Sequence, residues 1–207
     1  MSDTLKRLLD TPVIAILRGV MPDEVLAVGD VLIDAGFKVI EVPLNSPSAM
    51  VSIERLASRF GTDVLVGAGT VLSGTEVDGA VSAGAELILA PNRNVAVIGR
   101  AVHHGVIAMP GVATPTEGFE ALAAGAHALK LFPSDVIGSA TVKAWRAVFA
   151  KATPMFCVGG IDAENMGGFC NAGATGVGLG SSLYAPGVSM VDLARRAKSL
   201  LGAWPRV

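Results

Sequence analysis

The chain alternates between two kinds of segment. Short, continuously apolar runs occupy residues 13–17, 39–43, 64–68, 87–90, 106–110, 128–132, 155–158 and 176–179. Longer stretches with helical spacing of apolar positions lie between them. Apolar runs this short and this rich in Val, Ile and Leu are the pattern of strands buried on both faces, as in a parallel sheet. The helical stretches open on start signals: Pro22-Asp23-Glu24, Ser73 ahead of Glu76, Thr114-Pro115-Thr116-Glu117, and Asp162 ahead of Glu164. They end at Gly36, Gly61 (after the helical run 48–60), Gly84, Gly105, Gly125 and Gly173, spaced 20–25 residues apart with one interval of 48, where the unit near residues 151–154 lacks its glycine. Glycine just past a helix end takes the left-handed conformation without a Cβ clash. A strand plus a helix at this period is a βα unit, and eight in succession predict an α/β fold. A closed (β/α)8 (TIM) barrel and a doubly wound open sheet both fit. Uniform units with no break in their order favour the barrel, at the compact end of its ~200–250 residue range. Residues 4–10 predict a short helix plugging the N-terminal face. No linker divides residues 1–207, so a single domain is expected.

Composition narrows the picture. Hydrophobic residues make up 51% and charged residues 16%, which excludes a disordered chain. Aromatics are only 5%, so the core must be aliphatic. Glycine, at 25 of 207 residues, exceeds the usual ~7% and points to tight connections or to backbone that approaches a ligand. A net charge of −2 gives no support for nucleic-acid binding. The longest uncharged stretch, 165–191, is interrupted by glycines and by Asn171, Ser181 and Ser182, so no membrane span is expected. The opening MSDTLKRLLD lacks the apolar core of a signal peptide, and a cytoplasmic location is expected.

In a barrel of this kind function sits at the C-terminal ends of the strands. Lys130, between Leu129 and Leu131, falls on the inward face if the leucines face the helices. Desolvation there lowers a lysine pKa, and a partly neutral amine can attack a carbonyl and form a Schiff base; the plainer reading is a packed stem with a solvated head. Glu41 shares an inward face with Val39 and Pro43, as a general acid/base beside the lysine or as a structural ion pair with Lys130 or Arg18. Arg18, ending the first strand, is placed to grip a carboxylate or to form a rim salt bridge. Thr70 offers a hydroxyl donor or a helix N-cap. The turns VGGID (158–162) and LGSSL (179–183) follow the seventh and eighth strands, where barrels hold phosphate with backbone N–H groups and a helix N-terminus. Gly159, Gly160, Gly180 and Ser181 are the candidates, against mere tight turns. His103 and His104 fit a helix's last turn, and His127 opens the sixth strand. Cys157 and Cys170 have neither metal nor redox spacing and read as small buried apolar residues. No His, Cys or carboxylate cluster at the strand ends has metal-ligand spacing.

The ordered set IAILRG, VIEVPLNSP, VGAGTVL, APN, ALKLFPS, VGGI and GLGSSLY resembles the bacterial class I 2-keto-3-deoxy-6-phosphosugar-acid aldolases over residues 12–184. It is more similar to the 6-phosphogalactonate branch than to the gluconate branch, which usually carries a TLRT stretch where this chain has Pro43-Leu44-Asn45-Ser46 and often threonine where it has Val158. Ala90 is a departure, since relatives often have threonine there. The resemblance implies Lys130 as the Schiff-base lysine and Glu41 as proton shuttle. Arg18 and Thr70 would hold the pyruvate carboxylate, and Gly159, Gly160, Gly180 and Ser181 the phosphate. Phe132 and Pro91 would wall the pocket, with Val158 near the phosphate turn. It implies a homotrimer, no metal and no cofactor, and a phosphorylated keto sugar acid cleaved to pyruvate. Two readings from other classes stay open: a phosphosugar isomerase or epimerase on the same barrel, and a non-catalytic phosphosugar-binding barrel.

Overall fold

The computed structural model describes residues 3–61 and 63–205. Its strands are β1 (Val13–Ile16), β2 (Val39–Pro43), β3 (Leu65–Gly69), β4 (Leu87–Leu89), β5 (Ile107–Met109), β6 (Gly111–Val112), β7 (Leu129–Leu131), β8 (Met155–Val158) and β9 (Gly176–Leu179). Its helices are α1 (Asp3–Asp10), α2 (Val25–Ala35), α3 (Ala49–Phe60), α4 (Gly74–Ser82), α5 (Val95–His103), α6 (Pro115–Ala123), α7 (Ser134–Ile137), α8 (Ser139–Trp145), α9 (Met166–Asn171) and α10 (Met190–Ala203).

All strand pairs are parallel, in the order β5-β4-β3-β2-β1-β9-β8-β7-β6. The two ends of that order are consecutive in the chain and separated only by Pro110. One strand, broken at the residue that lacks an N–H, pairs with β4 through its first half and with β7 through its second. This closes the eight-stranded (β/α)8 barrel and excludes the open sheet. The fifth strand, expected at 106–110, therefore runs on to Val112 in two pieces. The Pro110 carbonyl still accepts from Lys130 N–H at 2.9 Å.

The pleat sorts the apolar residues into two layers. Ala15, Leu17, Ile40, Val42, Leu129, Leu131, Val177 and Leu179 pack outward beneath the helices. Ile14, Ile16, Val39, Leu65, Leu87, Leu89, Ile107, Met109, Phe156 and Val158 fill the interior. An eight-stranded barrel has room for little more than its own side chains, so large inward residues alternate with glycine. A Cβ on Gly176 would overlap the Phe156 ring, and one on Gly178 would stand 2.9 Å from Val158 Cγ2. At the N-terminal face α1 buries Leu8 completely, with Leu5 and Leu9 against the interior layer, as the expected plug.

Local signals hold with a few exceptions. Helices α4 and α6 start with complete capping boxes, Ser73 with Glu76 and Thr114 with Glu117. Gly36, Gly84, Gly105, Gly125 and Gly173 have φ between +72° and +111°. Gly61 has φ 49° but ψ −122°, outside the left-handed helical region. Helix α9 starts at Met166 rather than near Asp162. The Asp162 carboxylate instead accepts from Glu164 N–H and Asn165 N–H and shapes a turn ahead of the helix. His103 ends α5, while His104 reaches across to α4, its Nε2 2.6 Å from Asp78 Oδ1 beside Arg100. His127 precedes β7, and its Nδ1 accepts from Ala108 N–H. No described helix is long and apolar enough to cross a membrane.

Candidate active site

Lys130 sits in the middle of β7 with both neighbours facing the helices, which turns its side chain into the barrel. It is 4% exposed, and its Nζ lies 5.2 Å from the centre of the Phe132 ring. Glu41 occupies the matching inward position of β2 and is 1% exposed. In the ring β2 and β7 are four strands apart, so the two ionisable groups project from opposite walls. Among the described residues neither Glu41 oxygen has a hydrogen-bond partner. Gly69 makes room for the carboxylate, since a Cβ there would overlap Glu41 Oε1. A desolvated carboxylate without a partner is costly, and such a group in a barrel interior is a candidate for a catalytic role.

Burial governs both groups. It holds the Lys130 amine below its ordinary pKa, with Arg18 adding to the depression and Glu41 opposing it. Burial pushes the Glu41 carboxyl up, opposed by the positive charges of Lys130 and Arg18. Burial thus shifts both groups toward their uncharged forms, a direction suited to nucleophilic attack by the amine and proton transfer by the carboxyl.

The rim is assembled from loops. Arg18 follows β1 and donates to Asn45 Oδ1 at 2.6 Å, so among the described residues it forms neither the rim salt bridge nor a pair with Glu41. Gly19 N–H donates to the buried Ser46 Oγ at 2.9 Å, tying the same two loops together. Thr70 follows β3 with φ +56°. A β-branched residue held there costs about 1–3 kcal/mol. Thr70 is not an N-cap; Ser73 takes that role for α4. Pro91 follows β4, and its carbonyl lies where a Cβ on Gly111 would fall. Phe132 is half-buried over Lys130, and Val158 is buried in the interior layer at the end of β8.

The glycine turns stand side by side after β8 and β9. Gly159 and Gly160 have φ +100° and +66°. Among the described residues, the N–H groups of Gly160, Gly180 and Ser181 donate to no backbone or side-chain acceptor and remain available. The second turn is not a helix start: Leu183 N–H and Tyr184 N–H both return to the Gly180 carbonyl, and α10 begins only at Met190. Any anion held here would meet backbone N–H groups of two turns. Among the described residues no group of three or more His, Cys, Asp or Glu could hold a metal ion. Of the sequence-predicted site residues, Lys130 and Glu41 project into the barrel from mid-strand, and the others end or follow strands at its C-terminal face.

The model of the KDPG and KHG aldolase family matches residues 4–197. The chain belongs to that family. It is 46% identical to the 2-dehydro-3-deoxy-6-phosphogalactonate aldolase of Escherichia coli strain K12, over 93% of this chain and 94% of that one. It is 43% identical to a probable 2-dehydro-3-deoxy-6-phosphogalactonate aldolase of Rhizobium meliloti strain 1021, over 96% and 94% of the two chains. A solved structure described as native KDPGal superimposes with a TM-score of 0.91 at 46% identity, covering 93% of each chain.

In this KDPG and KHG aldolase family member a groove of about 680 Å3 lies on the opposite face, lined by Thr11, Phe37, Lys38, Cys170, Lys198 and Trp204 among others, and includes none of the predicted site residues. Three supporting residues escaped the sequence reading: Asn45, Gly69 and Ser134. Gly69 carried a usable signal, since its strand phase places it inward beside Glu41. Asn45 and Ser134 act through side-chain hydrogen bonds to other parts of the chain, Asn45 to Arg18 and Ser134 to the ends of β7 and β8, that no spacing rule reveals.

Proposed function

We propose that the protein is a class I aldolase that cleaves 2-dehydro-3-deoxy-6-phospho-D-galactonate to pyruvate and D-glyceraldehyde 3-phosphate. The observation that carries this reading is the pair of buried, opposed side chains Lys130 and Glu41, the carboxylate without a hydrogen-bond partner among the described residues. The neutral Lys130 amine attacks the C2 ketone. The carbinolamine loses water to give a protonated imine. Glu41, directly or through water, takes the C4 hydroxyl proton. The C3–C4 bond breaks, its electron pair enters the imine to form an enamine, and the aldehyde leaves. Glu41 returns the proton to C3, and water hydrolyses the imine to free pyruvate and Lys130. The sequence needs no oxidant, metal or cofactor.

In this reading Arg18, steadied by Asn45, and Thr70 hold the pyruvate carboxylate. Gly159, Gly160, Gly180 and Ser181 hold the phosphate through backbone N–H groups, and Phe132 and Pro91 wall the pocket. Residues 1–207 act as one catalytic domain, assembled as a homotrimer in the cytoplasm. The galactonate epimer is supported by the names of the two relatives above 40% identity. Val158 is the residue assigned to epimer choice. A threonine there could hydrogen-bond a substrate hydroxyl, and valine of nearly the same size cannot.

A pyruvate-release assay on the galactonate and gluconate epimers tests the reading. Wild type is expected to prefer the galactonate epimer or to accept both. Val158→Thr is expected to raise relative kcat/KM on the gluconate epimer by roughly 5- to 150-fold, the range spanned by one buried hydrogen bond. Strong wild-type preference for the gluconate epimer overturns the substrate assignment. Metal-dependent isomerisation without pyruvate release overturns the reaction class.

A further inference from the structure

Ser134 lies four residues beyond Lys130 and is fully buried. Its Oγ donates to the Leu131 carbonyl at 2.7 Å and accepts from Val158 N–H at 3.0 Å. Leu131 belongs to the last rung of the β7/β8 ladder, where it stands opposite Cys157, and Val158 is the next residue of β8. Leu131 is the residue after Lys130, and Val158 the residue before Gly159. The backbone continues the link: Asp135 N–H donates to the Gly159 carbonyl at 3.1 Å. A Cβ on Gly159 would stand 3.3 Å from Ser134 N, and one on Gly160 2.5 Å from Asp135 Cβ. The segment after Lys130 therefore packs directly against the glycine turn, and the Ser134 hydroxyl is the side-chain tie between them. Its donor and an acceptor position are both engaged, which leaves it no part in proton transfer.

We propose that Ser134 is a positioning residue that fixes the Gly159–Gly160 turn relative to Lys130, and so sets the spacing between a bound phosphate and the attacking amine. This rests on the functional reading above. A hydroxyl at this place matters to a substrate that spans both points, and little to one that engages only the amine.

The test compares wild type and Ser134→Ala on the phosphorylated keto sugar acid, on the same acid without phosphate, and on pyruvate trapped with borohydride. For the phosphorylated substrate kcat/KM is expected to fall on the order of 10-fold, mainly through KM, with the unphosphorylated acid changed by less than about twofold and trapping at Lys130 intact. Equal loss on both acids, or no loss on either, overturns the role of Ser134 while leaving the lysine chemistry standing. Wild type that fails to trap pyruvate overturns the functional reading, and this inference with it. Should Ser134→Ala not fold, Ser134→Cys keeps the volume, weakens the hydrogen bonds and is expected to show the same split at smaller size.

Discussion

Each of the two buried ionisable residues moderates the shift that burial imposes on the other. The Glu41 charge raises the Lys130 pKa against desolvation, which holds it below 10.5. Removing that charge must therefore lower the lysine further. In Glu41→Gln the pH midpoint for imine formation with pyruvate is expected to move down from its wild-type position, as read by borohydride trapping across a pH series. Cleavage should fall by roughly 10²–10⁴ in the same variant while trapping persists. A midpoint that stays put, or unchanged turnover, would give Glu41 a structural role. Both residues were legible in the sequence because a charge between two apolar residues of a buried strand has one face to occupy. Thr70 was legible only as a polar residue at a strand end. Its left-handed backbone depends on the Leu44 N–H to Gly69 carbonyl bond at 2.7 Å and the Val71 N–H to Leu89 carbonyl bond at 3.1 Å on either side of it, and these are contacts between strands that no local pattern encodes.

Among the elements, the glycine turn after β8 makes the sharpest demand on the sequence. Gly160 combines φ +66° with an added Cβ 2.5 Å from Asp135 Cβ. Gly160→Ala is expected to lower stability by about 1–3 kcal/mol and to raise KM for the phosphorylated substrate, as followed by thermal melts and steady-state kinetics. A variant with unchanged stability and KM would remove the turn from the proposed phosphate site. The eight strands and the capping boxes of α4 and α6 were legible because each is a short-range pattern. The break at Pro110 and the lone turn after β9 were not. The first is set by ring closure between β4 and β7, and the second by Leu183 and Tyr184 N–H groups folding back on Gly180.

On the scale of the whole molecule, the barrel brings together groups that are 89 positions apart in the chain, Glu41 and Lys130. Counting βα units predicts the ring, and the ring puts β2 and β7 on opposite walls. The depth of the two side chains follows from packing across that ring and had to be seen in three dimensions. The central claim is that the interior lysine forms an imine. Incubating the protein with pyruvate and borohydride, followed by peptide mass spectrometry, tests it most directly. One reduced three-carbon adduct is expected, on Lys130. No adduct, or an adduct on another lysine, would contradict the account.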